Sequence, residues 1–303
     1  MVSLKKPISS LRNAIISDRV NSGDRAFDER EYRRFNKSGR TMLLIIYGLV
    51  IVDTVLLSIP HPMKDSVLEL PPQLARSGKA ASGVLYFFFL GFIALSLIPR
   101  VFCSLACIGI LLMGLRLKLK LLANRYETII GYIFLDADSY YERVGREVRI
   151  AVDQQLECWR QIQILKNCVR KQFFVVHYFA VFAIGALLYL CQDLGFNVLS
   201  VAIVATTAGF LLEYYLWCDL VDSLQEEAHT IGYLIFELCA KIPYIQKYRL
   251  QYKRLQSSLM ITWINTGNSL KMDCMGLFEI SKVSFVYLLN VVYKVLMFLI
   301  KIN

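Results

Sequence analysis

Five apolar runs punctuate the chain, at 41–60, 83–115, 173–191, 198–218 and 277–300, and the stretches between them are charged or turn-forming. A helix needs about 20 apolar residues to cross a hydrocarbon core about 30 Å thick. The first run, TMLLIIYGLVIVDTVLLSIP, meets that length, as do FFVVHYFAVFAIGALLYLC and VLSVAIVATTAGFLLEYYLWC. The short QDLGFN connection makes the latter two an antiparallel helical hairpin. The pattern therefore predicts an all-α membrane protein: a bundle of about five transmembrane helices with cytoplasmic helical extensions.

The second run, 83–115, is longer than a crossing requires and would extend about 50 Å as a helix. Two short halves could hinge at Pro99–Arg100, but neither half crosses alone. One long, tilted helix kinked at Pro99 fits better. Segment 61–82 carries Pro62, Pro71 and Pro72 and reads as an irregular loop. Segments 116–172 and 219–273 are charged and helical in pattern. In the first of them Val148, Ile150, Val152, Leu156, Trp159, Ile162 and Leu165 mark one apolar face, which predicts an amphipathic helix rather than a span.

Charge orients the helices. Lys and Arg number ten in 1–40, eleven in 116–172 and six in 221–273, against three in 61–82 and none in 192–197. Cytoplasmic segments keep the excess of positive residues. With a cytoplasmic N-terminus, five crossings place every positive-rich segment inside and the C-terminus outside, at the plasma membrane. The chain then divides into a cytoplasmic basic segment, 1–40, and a transmembrane domain, 41–303. The net charge of +10 falls between apolar runs, so it marks the bilayer as partner and no nucleic acid. With 56% hydrophobic residues, a soluble domain is the poorer reading. Residues 1–40 contain no apolar core of a secretory signal.

Catalytic chemistry finds no purchase. There is no Walker loop, no GxGxxG and no GxSxG, and His61, His177 and His229 lack partners at ligating spacing. The eight cysteines include no CxxC pair and predict free, mostly buried thiols. No catalytic residue, metal or cofactor is expected, and the chain does not read as an enzyme.

Ionisable groups inside spans are costly and therefore informative. Asp53 lies about 18 Å above the inner end of the first span and Arg100 about 22 Å above that of the second. They form a candidate intramembrane pair, unless each faces water separately. Glu213, in the fourth span, reaches a bundle interior or snorkels. On the last span Glu279, Val283, Tyr287, Asn290, Lys294 and Lys301 fall within an arc of about 80°, while Lys282 falls off it. A polar stripe of this kind suits a channel wall. It also suits helix packing with the lysines snorkelling to the interface.

The segments EYYLWCDLVDSLQEEAHTIGYLIFE (213–237) and YRLQYKRLQSSLMITWINTGNSLKMDCMGLFEISKVSFVYLLNVVYKVLMFL (248–299) resemble the insect odorant receptor family. Gly276–Leu277–Phe278, Ser284–Phe285 and Tyr293 occupy places where that family has similar residues, and the likeness continues more weakly back to about residue 30. Gln154–Gln155 stand where a His is usual, Ala228 replaces a Ser, and Phe236 and Ala240 replace a Tyr and a Trp. The family has seven spans, of which this chain reads as the last five, with the first two apparently absent.

The resemblance implies an odorant receptor subunit of a ligand-gated cation channel, assembling with a shared co-receptor into a hetero-tetramer. Tyr287, Asn290 and Lys294 would line the pore, and 219–276 would contribute to the intersubunit anchor. A small volatile organic ligand would sit among Thr54, Ser58, Tyr86, Phe87, Phe89 and Phe92. A gustatory receptor-type channel is an alternative, although its usual Thr-Tyr start and Gln-Phe are missing from the last helix. A truncated, non-conducting membrane relative is another. A secondary transporter would need an inverted repeat that the chain lacks.

Overall fold

The computed structural model describes residues 8–13, 15, 20–58, 84, 98–132, 137–194, 197–268 and 271–302. Its principal helices are α1 (Arg25–Ser58), α2 (Ile98–Gly131), α3 (Ala137–Leu194), α4 (Val198–Lys241), α5 (Arg249–Asn268) and α6 (Lys282–Ile302), with a 3-10 turn at Gln246–Tyr248. Among the described residues the only β pairing is an antiparallel bridge between Asp273 and Glu279.

The helices ignore the polar–apolar boundaries that divide the sequence. α3 is continuous for 58 residues, about 87 Å at 1.5 Å per residue. It joins the amphipathic stretch to the third apolar run, because no proline interrupts it and Gly145 and Gly185 are its only glycines. α1 starts sixteen residues before the first apolar run, at Arg25. Asp24 caps it: Ala26 and Phe27 donate their N–H groups to its Oδ1 at 2.9 and 3.3 Å. α4 is capped by Asn197, whose Oδ1 accepts from the Ser200 N–H at 2.8 Å.

Two expectations of helix extent are corrected. The stretch 219–273 is not one helical segment. α4 ends at Lys241, two residues before Pro243, which lacks an N–H and restricts the residue before it. The last helix begins at Lys282 rather than 277, and the residues before it form a hairpin. Apart from Val84, the second apolar run is described from Ile98 onward, and there the helix passes its expected end at 115 and continues to Gly131. Four of the described helices, α1, α3, α4 and α6, are long and apolar enough to cross a membrane.

The chain forms two compact units. One gathers Met1–Gly39, Gly109–Lys171 and Asp219–Ser281. Its core is made of Leu119, Leu122 and Tyr126 from α2, Val144, Val148 and Leu165 from α3, Val221, Leu224 and Ile235 from α4, and Leu259 from α5. Polar groups are buried there too: Tyr140 OH, Trp159 Nε1 and Gln161 Oε1 have no hydrogen-bond partner among the described residues, whereas others link the elements. Lys118 is 2% exposed, and its Nζ donates to the Tyr32 hydroxyl at 3.0 Å. The Tyr126 hydroxyl donates to Gln155 Oε1 at 2.7 Å, and Gln155 Nε2 donates to Thr266 Oγ1 at 2.7 Å, which links α2, α3 and α5.

The second unit gathers Arg40–Ile108, Gln172–Cys218 and Lys282–Asn303, the segments that hold the apolar runs. Phe173, Val176, Ala180 and Ile184 bury one face of α3, and Tyr214, Trp217, Leu288 and Val292 bury the faces of α4 and α6. Large apolar side chains such as Val175, Phe182, Val201 and Val286 point outward. Hydrocarbon accepts such a surface as readily as a core does. Thr206 and Thr207 satisfy their hydroxyls on the carbonyls of Ala202 and Ile203 at 3.1 and 2.8 Å. All eight cysteines are free, but Cys103 and Cys107 are exposed rather than buried.

Candidate functional site: the polar face of the last helix

The sequence MDCMGLFEI, 272–280, folds as a tight hairpin. Ile280 N–H donates to the Met272 carbonyl at 2.9 Å, Cys274 N–H to Phe278 at 2.8 Å, and Leu277 N–H to Cys274 at 2.9 Å. Both central residues are left-handed, Met275 at φ 52 and Gly276 at φ 82, the conformation of a type I′ turn. The Asp273 carboxylate holds the turn: its Oδ2 accepts from the Gly276 N–H and from Arg170 Nη2, the latter at 3.0 Å. Met272, Cys274 and Ile280 are buried beneath it. Burial, then the nearby Asp273 carboxylate, push the Cys274 thiol up to about 11. The expected polar stripe is corrected here. Glu279 belongs to the hairpin, paired through its backbone with Asp273, and is not part of the helix.

α6 buries a narrow seam. Ser284, Leu288 and Val292 recur every four residues on its inward side, and Phe285 meets the rings of Tyr214 and Tyr215 at 6.4 and 5.6 Å. Gly185 of α3 lets α6 approach closely, since a Cβ there would lie 2.9 Å from Val295 Cγ1. Most of the remaining helix surface is open: Val283 is 76% exposed, and Tyr287, Asn290 and Lys294 are exposed along an arc of about 60°. Of the three residues expected to line a pore, all thus share one uncovered face of α6.

The other expected residues lie outside what is described. Thr54 and Ser58 fall in the last turns of α1, and Asp53 precedes them, but nothing of their side chains is described. Arg100 falls in the first turn of α2 with its side chain likewise outside the described residues, as are Tyr86, Phe87, Phe89 and Phe92 altogether. The Asp53–Arg100 pair and the ligand pocket therefore stay as expectations.

A buried polar–aromatic cluster was not anticipated. His177 Nδ1 lies 2.9 Å from the Tyr214 hydroxyl, and Phe173 stacks nearby against His177 and meets Tyr214 and Trp217. Glu213, 2% exposed, sits beside them on α4 with Oε1 unpartnered. Spacing of four between Phe173 and His177, and between Glu213 and Trp217, put each pair on one helix face and was the available signal. Among the described residues, no group of three or more His, Cys, Asp or Glu could hold a metal ion.

Long helices, a unit of apolar spans and an uncovered polar face on the last helix define an all-α, multi-span membrane fold. Among the solved structures that share it are two of the insect olfactory receptor OR5 from Machilis hrabei, one of them in complex with eugenol. At 15% identity the TM-score is 0.76 for each; the superpositions cover 98% and 100% of this chain, and 75% and 76% of the receptor. No protein-family model matches the sequence, and no curated protein matches it. The chain has the insect olfactory receptor fold.

Proposed function

We propose that the chain is an odorant receptor subunit of a ligand-gated cation channel, which detects small volatile organic compounds together with a shared co-receptor in a hetero-tetramer at the plasma membrane. The observation that carries this reading is the fold likeness over essentially the whole chain. The eugenol complex supports a small volatile ligand by analogy, since eugenol is a compact aromatic phenol and the OR5 receptor holds it. The uncovered face with Tyr287, Asn290 and Lys294 supports a pore wall, because a polar stripe on a lipid-compatible helix needs either water or another subunit. The distribution of Lys and Arg supports a cytoplasmic N-terminus and an extracellular C-terminus.

The unit built from the basic segments supports assembly. Tyr233, Phe236, Ile261, Trp263 and Ile264 are exposed on α4 and α5, where an intersubunit anchor would bury them. The test is co-expression with the co-receptor, surface labelling to verify delivery, and whole-cell recording against an odorant panel. Odorant-evoked cation current is expected. Its absence from cells that display the chain at the surface would overturn the channel reading and leave a non-conducting membrane protein.

A further inference from the structure

The first unit carries a cationic site that neither odorant binding nor conduction uses. On α1, Arg30, Arg33, Arg34 and Lys37 recur at spacings of three and four and so share one helix face. They line a shallow depression of about 440 Å³. Arg34 also borders a second depression of about 170 Å³, whose far wall is Arg116 and Lys120 of α2. The two hollows therefore share Arg34 as a lining residue.

One buried carboxylate, Glu31, and one half-buried, Glu227, preorganise this face without neutralising it. Glu31, 5% exposed, accepts from Arg34 at 2.6 Å, with Lys120 and Arg30 at 3.8 and 3.9 Å. Glu227 of α4 accepts from Arg116 at 3.1 Å and lies 3.7 Å from Lys120. Four cations, Arg30, Arg34, Arg116 and Lys120, thus meet two carboxylates, a surplus of two positive charges. The arginine forks remain partly open to solvent, with Arg30 60% and Arg34 67% exposed.

Depth along the helices says what meets this surplus. On α1, Lys37 and Arg34 lie four and seven residues before Thr41, about 6 and 10 Å from the start of the apolar run. On α2 the apolar run ends at Leu115, so Arg116 follows it directly and Lys120 lies about 6 Å farther. Lys37, Arg116 and Lys120 thus lie at the level of lipid headgroups, whose layer is about 5–8 Å thick on each side, and Arg34 lies just beyond it, within reach of a long side chain. Planar guanidinium groups bind phosphate by paired hydrogen bonds. Basic pockets between helices at this level suit anionic headgroups.

We infer that the α1–α2 face of this unit binds the headgroup of a phosphoinositide, with Arg34 shared between two phosphate monoesters, one in each hollow. The occupant is a membrane lipid rather than a soluble phosphate, because the site lies within reach of the interface along both helices. The proposal is independent of the channel reading and concerns whichever leaflet this end of the helices faces.

The test uses the purified full chain in neutral detergent, titrated with dioctanoyl phosphatidylinositol 4,5-bisphosphate. Dioctanoyl phosphatidylcholine, inositol trisphosphate and inorganic phosphate form the comparison arms, and binding is read by thermophoresis. Binding of the bisphosphate lipid, and none of the phosphatidylcholine, is expected. Arg116→Gln/Lys120→Gln should weaken it roughly 25-fold, taking about 1 kcal/mol per interfacial cation and tenfold per 1.4 kcal/mol. Arg146→Gln/Arg149→Gln, which removes the same charge from an exposed face of α3, should leave it unchanged.

Should the Arg116→Gln/Lys120→Gln chain fail to fold, Arg30→Gln/Arg33→Gln decides, since both side chains are largely exposed and Glu31 keeps Arg34. Equal affinity in a folded site variant and in the α3 control overturns the proposal. So does inositol trisphosphate or inorganic phosphate binding as tightly as the lipid, because the source would then be a soluble phosphate.

Discussion

Gly185→Ala tests whether the α3–α6 contact is as close as it is described. The added Cβ would meet Val295 Cγ1 at 2.9 Å and Val295 Cβ at 3.6 Å. Carbon atoms pack comfortably at about 3.5–4.0 Å, so the first contact overlaps by about 0.6 Å or more. Valine in a helix has essentially one χ1 well, so the methyl cannot swing aside and a helix must shift. Overpacking of this kind costs about 1–3 kcal/mol. Replacing glycine inside a helix returns about 1 kcal/mol of that, which leaves a net loss of about 0–2 kcal/mol that proves little by itself. The double variant is the decisive measurement. Val295→Ala alone removes two partly buried methyl groups and costs about 1 kcal/mol. In Gly185→Ala/Val295→Ala the overlap is gone while the helix gain remains, so the net change is about zero. The cycle should therefore show coupling of about 1–3 kcal/mol in denaturant titrations of the detergent-solubilised chain followed by circular dichroism. Additivity within about 0.5 kcal/mol would refute the close approach.

Gln155→Leu strands the buried Tyr126 hydroxyl and should destabilise the first unit by about 2–4 kcal/mol, whereas Tyr126→Phe in the same background should recover part of that; the pair is compared by thermal unfolding. Met275→Gly relieves a non-glycine left-handed conformation worth about 1–2 kcal/mol and, offset by unfolded-chain entropy, should be neutral or stabilising by up to about 1 kcal/mol. Gly276→Ala, at φ 82 with Arg170 Nη2 3.3 Å from the new Cβ, should instead destabilise in the same assay. Burial pushes the Cys158 thiol up to about 12, from 9, so its thiolate fraction at pH 8 falls from about one in ten to about one in ten thousand. Maleimide at pH 8, read by mass spectrometry, should modify Cys158 only after unfolding. Because the folded value lies above the unfolded one, this thiol's contribution is intact below pH 9 and is lost as pH rises from 9 towards 12.

Much of the architecture is legible because hydropathy runs and helix periodicity are local. What escaped is what locality cannot carry. The continuity of α3 across residue 172 escaped because backbone hydrogen bonding is indifferent to a change from polar to apolar side chains, and only a proline would have marked a break. The hairpin at 272–280 escaped because its first left-handed position holds Met275, where turn chemistry favours Asn, Asp or Gly. That error carried Glu279 onto a helix it does not join. The burial of Lys118, in LRLKLKLL, depends on Tyr32, 86 residues earlier. His177 looked solitary for the same reason, since its partner Tyr214 is 37 residues away. The stripe of Tyr287, Asn290 and Lys294 was visible because its spacing lies within one helix.

Moving Glu279 into the hairpin changes what the uncovered face of α6 can do. The described face keeps Tyr287, Asn290, Lys294 and Lys301, so its ionisable side chains are cationic apart from the phenol. In a pore built from this chain alone, four Lys294 ammonium groups would stand at one level. At a separation of about 7 Å in water, each raises the energy of a monovalent cation by about 0.6 kcal/mol. Four together cost about 2.4 kcal/mol, roughly a fiftyfold loss of occupancy, and a drier pore would make it worse. In a mixed pore with one copy of this helix, a single Lys294 would cost about 0.6 kcal/mol, a factor of about three. Mixed assembly avoids most of this repulsion. Lys294→Ala should raise unitary conductance by no more than about threefold in the mixed channel, measured by single-channel recording at constant ionic strength. An increase of tenfold or more would mean several copies of this helix around the pore; no change at all would mean that Lys294 does not face it.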